Sequence, residues 1–117
     1  MRFYLRSKIH KATVTEANVD YIGSLTIDEE LIDRVGLHPG EKILVVSNTS
    51  GARLETYVIV GERGSGVMCM NGAAAHLIKP MDLVIICSYV QVPEERCHEW
   101  EGIRIFVDEQ NRIKELD

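Results

Sequence analysis

A serine that follows a glycine can attack the backbone it belongs to, and the stretch Asp20-Tyr21-Ile22-Gly23-Ser24-Leu25-Thr26 holds such a pair. The Ser24 hydroxyl adds to the Gly23 carbonyl, the peptide becomes an ester, and elimination converts the serine into dehydroalanine and then into a pyruvoyl group. Glycine suits the step because it has no Cβ to block the approach and tolerates strained backbone angles that weaken the amide. An activated hydroxyl and an oxyanion site are also required. The dipeptide alone is a weak signal: a second copy stands at Gly64-Ser65, and a turn is the ordinary reading of either.

Other residues carry chemistry of their own. Asn71-Gly72-Ala73-Ala74 has no bulky side chain after Asn71, so its backbone N–H groups can come close to a carboxylate or an oxyanion. A helix start capped by Asn71 explains the same residues and is compatible with ligand binding. Tyr57 offers a phenol that is neutral at pH 7 yet can yield a proton to a carbanion-like centre, although a barrel-wall aromatic is the plainer account. His38, His76 and His98 read as structural or exposed, and Cys97-His98 lacks the spacing of a metal site or a cysteine nucleophile.

The elements that must position these residues are mostly strands. The 117 residues make one domain, and 45% apolar content suffices for a single modest core. Short β-rich runs are separated by Gly, Pro, Asn and Ser: Phe3 to Thr15 supplies one or two strands, followed by Ile43 to Ser47 and Leu54 to Val60. Asn48-Thr49-Ser50-Gly51 is the hairpin turn between the last two. Further strands are predicted at Val67 to Met70, Leu83 to Val92 and Ile103 to Val107. One helix is well marked, with a Thr26/Glu29 capping box, Ile27, Leu31, Ile32 and Val35 on one face, and Gly36 closing the end. Pro93 to Glu99 reads as a second, shorter helix. Gly23-Ser24 then falls in the loop before the marked helix. Many strands in a small domain need closure to avoid exposed edges, so an all-β barrel is expected.

Charge and cysteine content narrow the function classes. A formal charge of −5 disfavours a sequence-independent grip on nucleic acid. Three cysteines without a Cys-x-x-Cys spacing suggest neither a disulfide framework nor a zinc knuckle, which fits a reducing cytoplasm. The early charges of Met1-Arg2-Phe3-Tyr4-Leu5-Arg6 do not suit a signal peptide, and the apolar run Leu83 to Cys87 is too short to span a bilayer. A soluble cytoplasmic protein, with no metal and no membrane partner, is the expectation.

Five blocks in order resemble the pyruvoyl-dependent aspartate 1-decarboxylases. They are Lys8-Ile9-His10-Lys11-Ala12-Thr13-Val14-Thr15, Asp20-Tyr21-Ile22-Gly23-Ser24, Gly51-Ala52-Arg53-Leu54-Glu55-Thr56-Tyr57, Glu62-Arg63-Gly64-Ser65-Gly66 and Asn71-Gly72-Ala73-Ala74-Ala75-His76. The likeness covers most of the chain and fades after about Trp100. It implies a double-psi β-barrel, self-cleaved between Gly23 and Ser24 into a short chain 1–23 and a long chain 24–117. It also implies a homotetramer with active sites between subunits.

The same resemblance implies roles. Ser24 becomes the pyruvoyl cofactor, which forms a Schiff base with L-aspartate and drains electron density as the α-carboxylate leaves, giving β-alanine for pantothenate and coenzyme A synthesis. Arg53, with its planar fork, and Lys8, a flexible point charge, receive the two substrate carboxylates. Tyr57 is the proton donor, and Thr56, Gly72, Ala73 and Ala74 contact substrate. Asn71, His10 and Tyr21 support the site, and whether a maturation partner takes part stays open. Thr56 and Tyr57 are adjacent on a predicted strand, so their side chains are expected on opposite faces. Two rival readings remain at this point: a non-catalytic small β-barrel that binds a partner, and a pyruvoyl decarboxylase for another amino acid.

Overall fold

The computed structural model describes residues 1–114. Twelve-residue β1 (Arg2–Thr13) leads directly into β2 (Glu16–Asn18), followed by β3 (Ser24–Asp28), α1 (Glu29–Val35), β4 (Lys42–Ser47) and β5 (Arg53–Gly61). After β6 (Met68–Asn71) come a 3₁₀ helix (Gly72–His76), β7 (Leu83–Val92), a second 3₁₀ helix (Glu94–Glu99), β8 (Ile103–Val107) and β9 (Ile113–Lys114). The strands form one sheet in the order β2-β6-β3-β5-β4-β7-β1-β8-β9. The protein is therefore mainly β, as expected.

The β1–β2 segment draws the sheet into a barrel. β1 lies near one end of the strand order and β2 at the other, yet two residues separate them. Val14 donates to the Asp82 carbonyl beside β7, while the next residue, Thr15, donates to Met68 of β6. A chain that bonds to both ends of a sheet within two residues closes it on itself and removes most of its free edge. Asn111, held at φ 61, locks the seam: its carboxamide bonds both the N–H and the carbonyl of Thr13 and the Gly66 carbonyl.

Strand alternation fills the interior. Ile9, Leu25, Ile27, Val58, Met68 and Met70 are all at most 1% exposed. On β1 the alternation is reset by a bulge in which Ile9 pairs Ile86 but Ala12 pairs Val84, with Lys11 at φ 60 as the extra residue. The reset keeps both Ile9 and Ala12 in the core.

The hairpin, the 3₁₀ segment after Pro93 and the Gly36 cap at φ 71 agree with the sequence reading. The helix start does not. Thr26 and Ile27 belong to β3, and Asp28 caps α1 by accepting the Glu30 N–H at 2.9 Å. The Ile27/Leu31 spacing fits a helix face, but pairing with β5 on one side and β6 on the other recruits Ile27 into the sheet. For the same reason Ser24 is the first residue of a buried strand and not part of the loop.

Candidate active site

Antiparallel pairing of β3 and β6 sets Ser24 opposite Asn71 and Thr26 opposite Cys69. Because paired strands share the pleat, Leu25, Ile27, Met68 and Met70 point into the core, and Ser24, Thr26, Cys69 and Asn71 share the other face. Ser24 is nonetheless 0% exposed. Its hydroxyl donates to the Ile22 carbonyl at 3.0 Å and accepts from Asn71 Nδ2 at 3.0 Å. The second Asn71 N–H goes to Thr26 Oγ1 at 3.0 Å, and the Cys69 thiol donates to Asn71 Oδ1 at 3.2 Å. Asn71 precedes the 3₁₀ helix as expected but makes no side-chain cap, because its carboxamide is spent on Ser24 and Thr26.

Two glycines bring the loop and the Gly23-Ser24 bond together. Gly72 adopts φ 80, and a Cβ there would sit 2.6 Å from the Gly23 Cα. A Cβ on Gly23 itself would meet nothing within 4 Å. Ala73 is exposed and Ala74 half-buried. Both lie in the first turn of the 3₁₀ helix, where N–H groups lack a partner within the turn. Tyr21 and Ile22, just upstream, are 52% and 71% exposed.

β5 turns Thr56 and Tyr57 to opposite faces. Its parallel pairing with β3 begins at Leu25↔Val58, one residue after Ser24 and Tyr57. By strand alternation Tyr57 shares the outer face of Ser24, while Thr56, paired with the core residue Ile43, turns toward the interior. The opposite orientations expected from sequence are retained.

Lys8, His10 and Arg53 lie elsewhere. Lys8 is on β1, which pairs with β7 and β8 and not with β3. Arg53 precedes Tyr57 by four residues, about 13 Å along β5, and is exposed. Neither forms an ion pair among the described residues. His10 packs against Phe106 with ring centroids 5.1 Å apart and the planes tilted by 56°, and its buried Nδ1 has no hydrogen-bond partner among the described residues. Burial, then the charges of Lys8 and Lys11, push its pKa below the usual imidazole range and favour the neutral ring. His38, His76 and His98 are exposed.

Sequence reading missed three contributors. Thr26 and Cys69 hold Asn71, and their only prior signal was two-residue spacing from Ser24 and Asn71 on strands. Asp28 ties the end of β3 to the turn after β5 by accepting from Gly64 and Gly66 at 2.9 and 2.8 Å. Burial opposes its ionisation, but these bonds, that from Glu30 and the Arg112 charge hold its pKa below the ordinary carboxylate value. A cavity of about 580 Å³ between α1 and the β8–β9 hairpin, lined by Arg34 and Arg104 among others, contains none of the residues around Ser24.

Comparison with known proteins agrees with this arrangement. The family model for aspartate decarboxylase matches residues 1–114, past the point at which the recognisable motifs fade. An aspartate 1-decarboxylase of Anoxybacillus flavithermus is 55% identical over 98% of this chain and 91% of its own length. One from Bacillus thuringiensis gives the same values, and one from a Geobacillus species is 51% identical over the same shares. With Ser24 buried directly behind an exposed Gly23 and a match along all of the described residues, the chain belongs to the aspartate decarboxylase family.

Proposed function

We propose that this chain is a self-processing L-aspartate α-decarboxylase that forms β-alanine and CO2, its cofactor made from Ser24. The observation that carries the reading is the hydroxyl of fully buried Ser24, hydrogen-bonded to Asn71 and directly following a residue without a side chain. Ser24 Oγ adds to the Gly23 carbon, the C–N bond breaks, and the displaced proton is carried by the new Ser24 amine. Loss of the Ser24 Cα proton with cleavage of the Cβ–O bond releases Gly23 as a carboxylate and leaves dehydroalanine. Water then replaces the nitrogen, which departs as ammonia, and the ketone remains. The short chain 1–23 stays attached because β1 is hydrogen-bonded to β7 and β8, and β2 to β6.

The residues around Ser24 fit a pyruvoyl group, since Asn71 turns its carboxamide to position 24 and the first turn of the adjoining Gly72–His76 helix has N–H groups without an intrahelical partner. Such a group supplies an electron sink for decarboxylation. Tyr57, on the outer face that Ser24 shares, delivers the proton to the carbon that loses CO2. Arg53 and Lys8 bind the two carboxylates of aspartate, and the use of two cations favours a dicarboxylic substrate over other amino acids. Lys8 on a strand that does not pair with β3, and Arg53 about 13 Å along β5 from Tyr57, support an assembly, a homotetramer, in which a second copy supplies them. Exposed Phe3 and Tyr89, at 73% and 51%, rim a groove of about 360 Å³ on that face and suit a subunit contact. Membership in a decarboxylase family favours this reading over a non-catalytic barrel, and a cytoplasmic role in supplying β-alanine for pantothenate follows from it. No helix among the described residues is long and apolar enough to cross a membrane.

Intact-mass measurement of purified protein tests the proposal. Two fragments are expected, the long one starting at position 24 and lacking a free amine. A single full-length species after prolonged incubation would refute it.

A further inference from the structure

The Asn71 carboxamide is the one group that touches both hydroxyls of β3 on this face, and its own orientation is fixed from behind. A carboxamide has two N–H donors and one carbonyl acceptor. Here both N–H groups are used, on Ser24 and Thr26, and the carbonyl receives the Cys69 thiol. The reversed orientation would aim the NH2 group at sulfur, a weak acceptor, and set the carbonyl against a Ser24 proton already given to Ile22. Burial and, after it, the Glu16 charge raise the Cys69 pKa, which keeps the thiol protonated and able to donate.

The consequence falls on Ser24. A hydroxyl has one proton and two lone pairs. The proton goes to the Ile22 carbonyl and one lone pair to Asn71, which leaves a single lone pair free for the Gly23 carbon. We propose that Cys69 and Thr26 are positioning residues for scission, acting through the Asn71 carboxamide to hold the Ser24 hydroxyl with one lone pair available for attack. The inference rests on the self-processing reading above. The Ser24 hydroxyl that they orient is consumed in scission, so removing them is expected to weigh more on maturation than on turnover.

The test follows conversion of freshly purified full-length protein to fragments by intact mass. It compares the wild type with Cys69→Ala, Cys69→Ser, Thr26→Val and Thr26→Ser, with folding checked by thermal melting. Cys69→Ala and Thr26→Val are expected to slow scission about tenfold or more, because each leaves a buried Asn71 group without its partner. The serine variants, which restore a hydroxyl, are expected to stay within about threefold of wild type. Once cleaved, all four are expected to lose less in decarboxylation per long fragment than they lose in the rate of scission. Unchanged or faster scission in both Cys69→Ala and Thr26→Val would overturn the inference alone. Equal losses in scission and in turnover per fragment would also overturn it, as the sign of a general structural defect. A wild-type chain that stays whole would overturn both this inference and the self-processing reading.

Discussion

The β3–β6 pair and the outer face of β1, β7, β4 and β5 treat their polar residues in opposite ways. On β3–β6, Ser24 and Asn71 are buried and bonded to each other, and the adjoining loop is pressed against Gly23 by Gly72. On the other face Arg53 is exposed, Lys8 is half-buried, and neither has a carboxylate partner among the described residues. Buried polar groups must find partners within the fold, whereas a solvated cation loses little by waiting for one. On the proposed function, one region carries out chemistry on its own chain, while the other serves a ligand that arrives later and is presented by a second copy.

The largest effect that would sharpen the contrast is expected from Ser24→Ala, which abolishes both scission and decarboxylation. Arg53→Gln should still cleave but bind aspartate poorly. Refolding the two variants together should then restore part of the activity by joining an intact cation face to an intact Ser24; mixtures as inactive as their components would break the two-copy reading.

Tyr57→Phe comes next. Scission should proceed normally while kcat for aspartate falls by about 10²–10⁴, the range expected when a positioned acid is lost. Slow scission with normal turnover of the cleaved fraction would move Tyr57 from the reaction to maturation.

Gly72→Ala probes the contact between loop and cleavage site. The added methyl would lie 2.6 Å from the Gly23 Cα, and φ 80 costs an L residue about 1–2 kcal/mol. Slower scission and a lower melting temperature are expected, measured by mass and calorimetry. A fully matured variant with unchanged stability would show that the contact is slack.

Asp28 gives the smallest effect, on stability alone. Its folded pKa lies below its unfolded value, so its contribution is complete above about pH 4 and is lost as pH falls through the folded pKa. Asp28→Asn should cost about 1–3 kcal/mol at pH 7 and flatten the acid limb of the melting curve. An unaltered limb would assign acid sensitivity elsewhere, for instance to the buried imidazole of His10, whose lowered pKa also makes it lose stability as pH falls.

Much of the fold was legible because apolar alternation and turn residues report burial directly: the β4–β5 hairpin, β7 and β8 follow from them. β3 was not, since Ile27, Leu31 and Ile32 satisfy a helical period as well as a strand followed by a helix. β2 and β9, of three and two residues, are too short to carry a period. At the site, Gly23, Ser24, Tyr57 and Asn71 were readable from residue type and resemblance. The partners Cys69 and Thr26 were not, because a neutral hydrogen bond leaves no mark in composition.

The amino-acid sequence by itself determined which groups are available: a glycine before a serine, a phenol, a carboxamide loop and two candidate cations. Tertiary structure decided which of them meet. Strand register, set by burying Leu25, Ile27, Met68 and Met70 on one face, brings Asn71 to Ser24, while Lys8 stands on β1, which does not pair with β3. A shift of one residue would turn every one of those polar groups into the core, and that dependence on pairing between distant segments is not written in any local stretch of the chain.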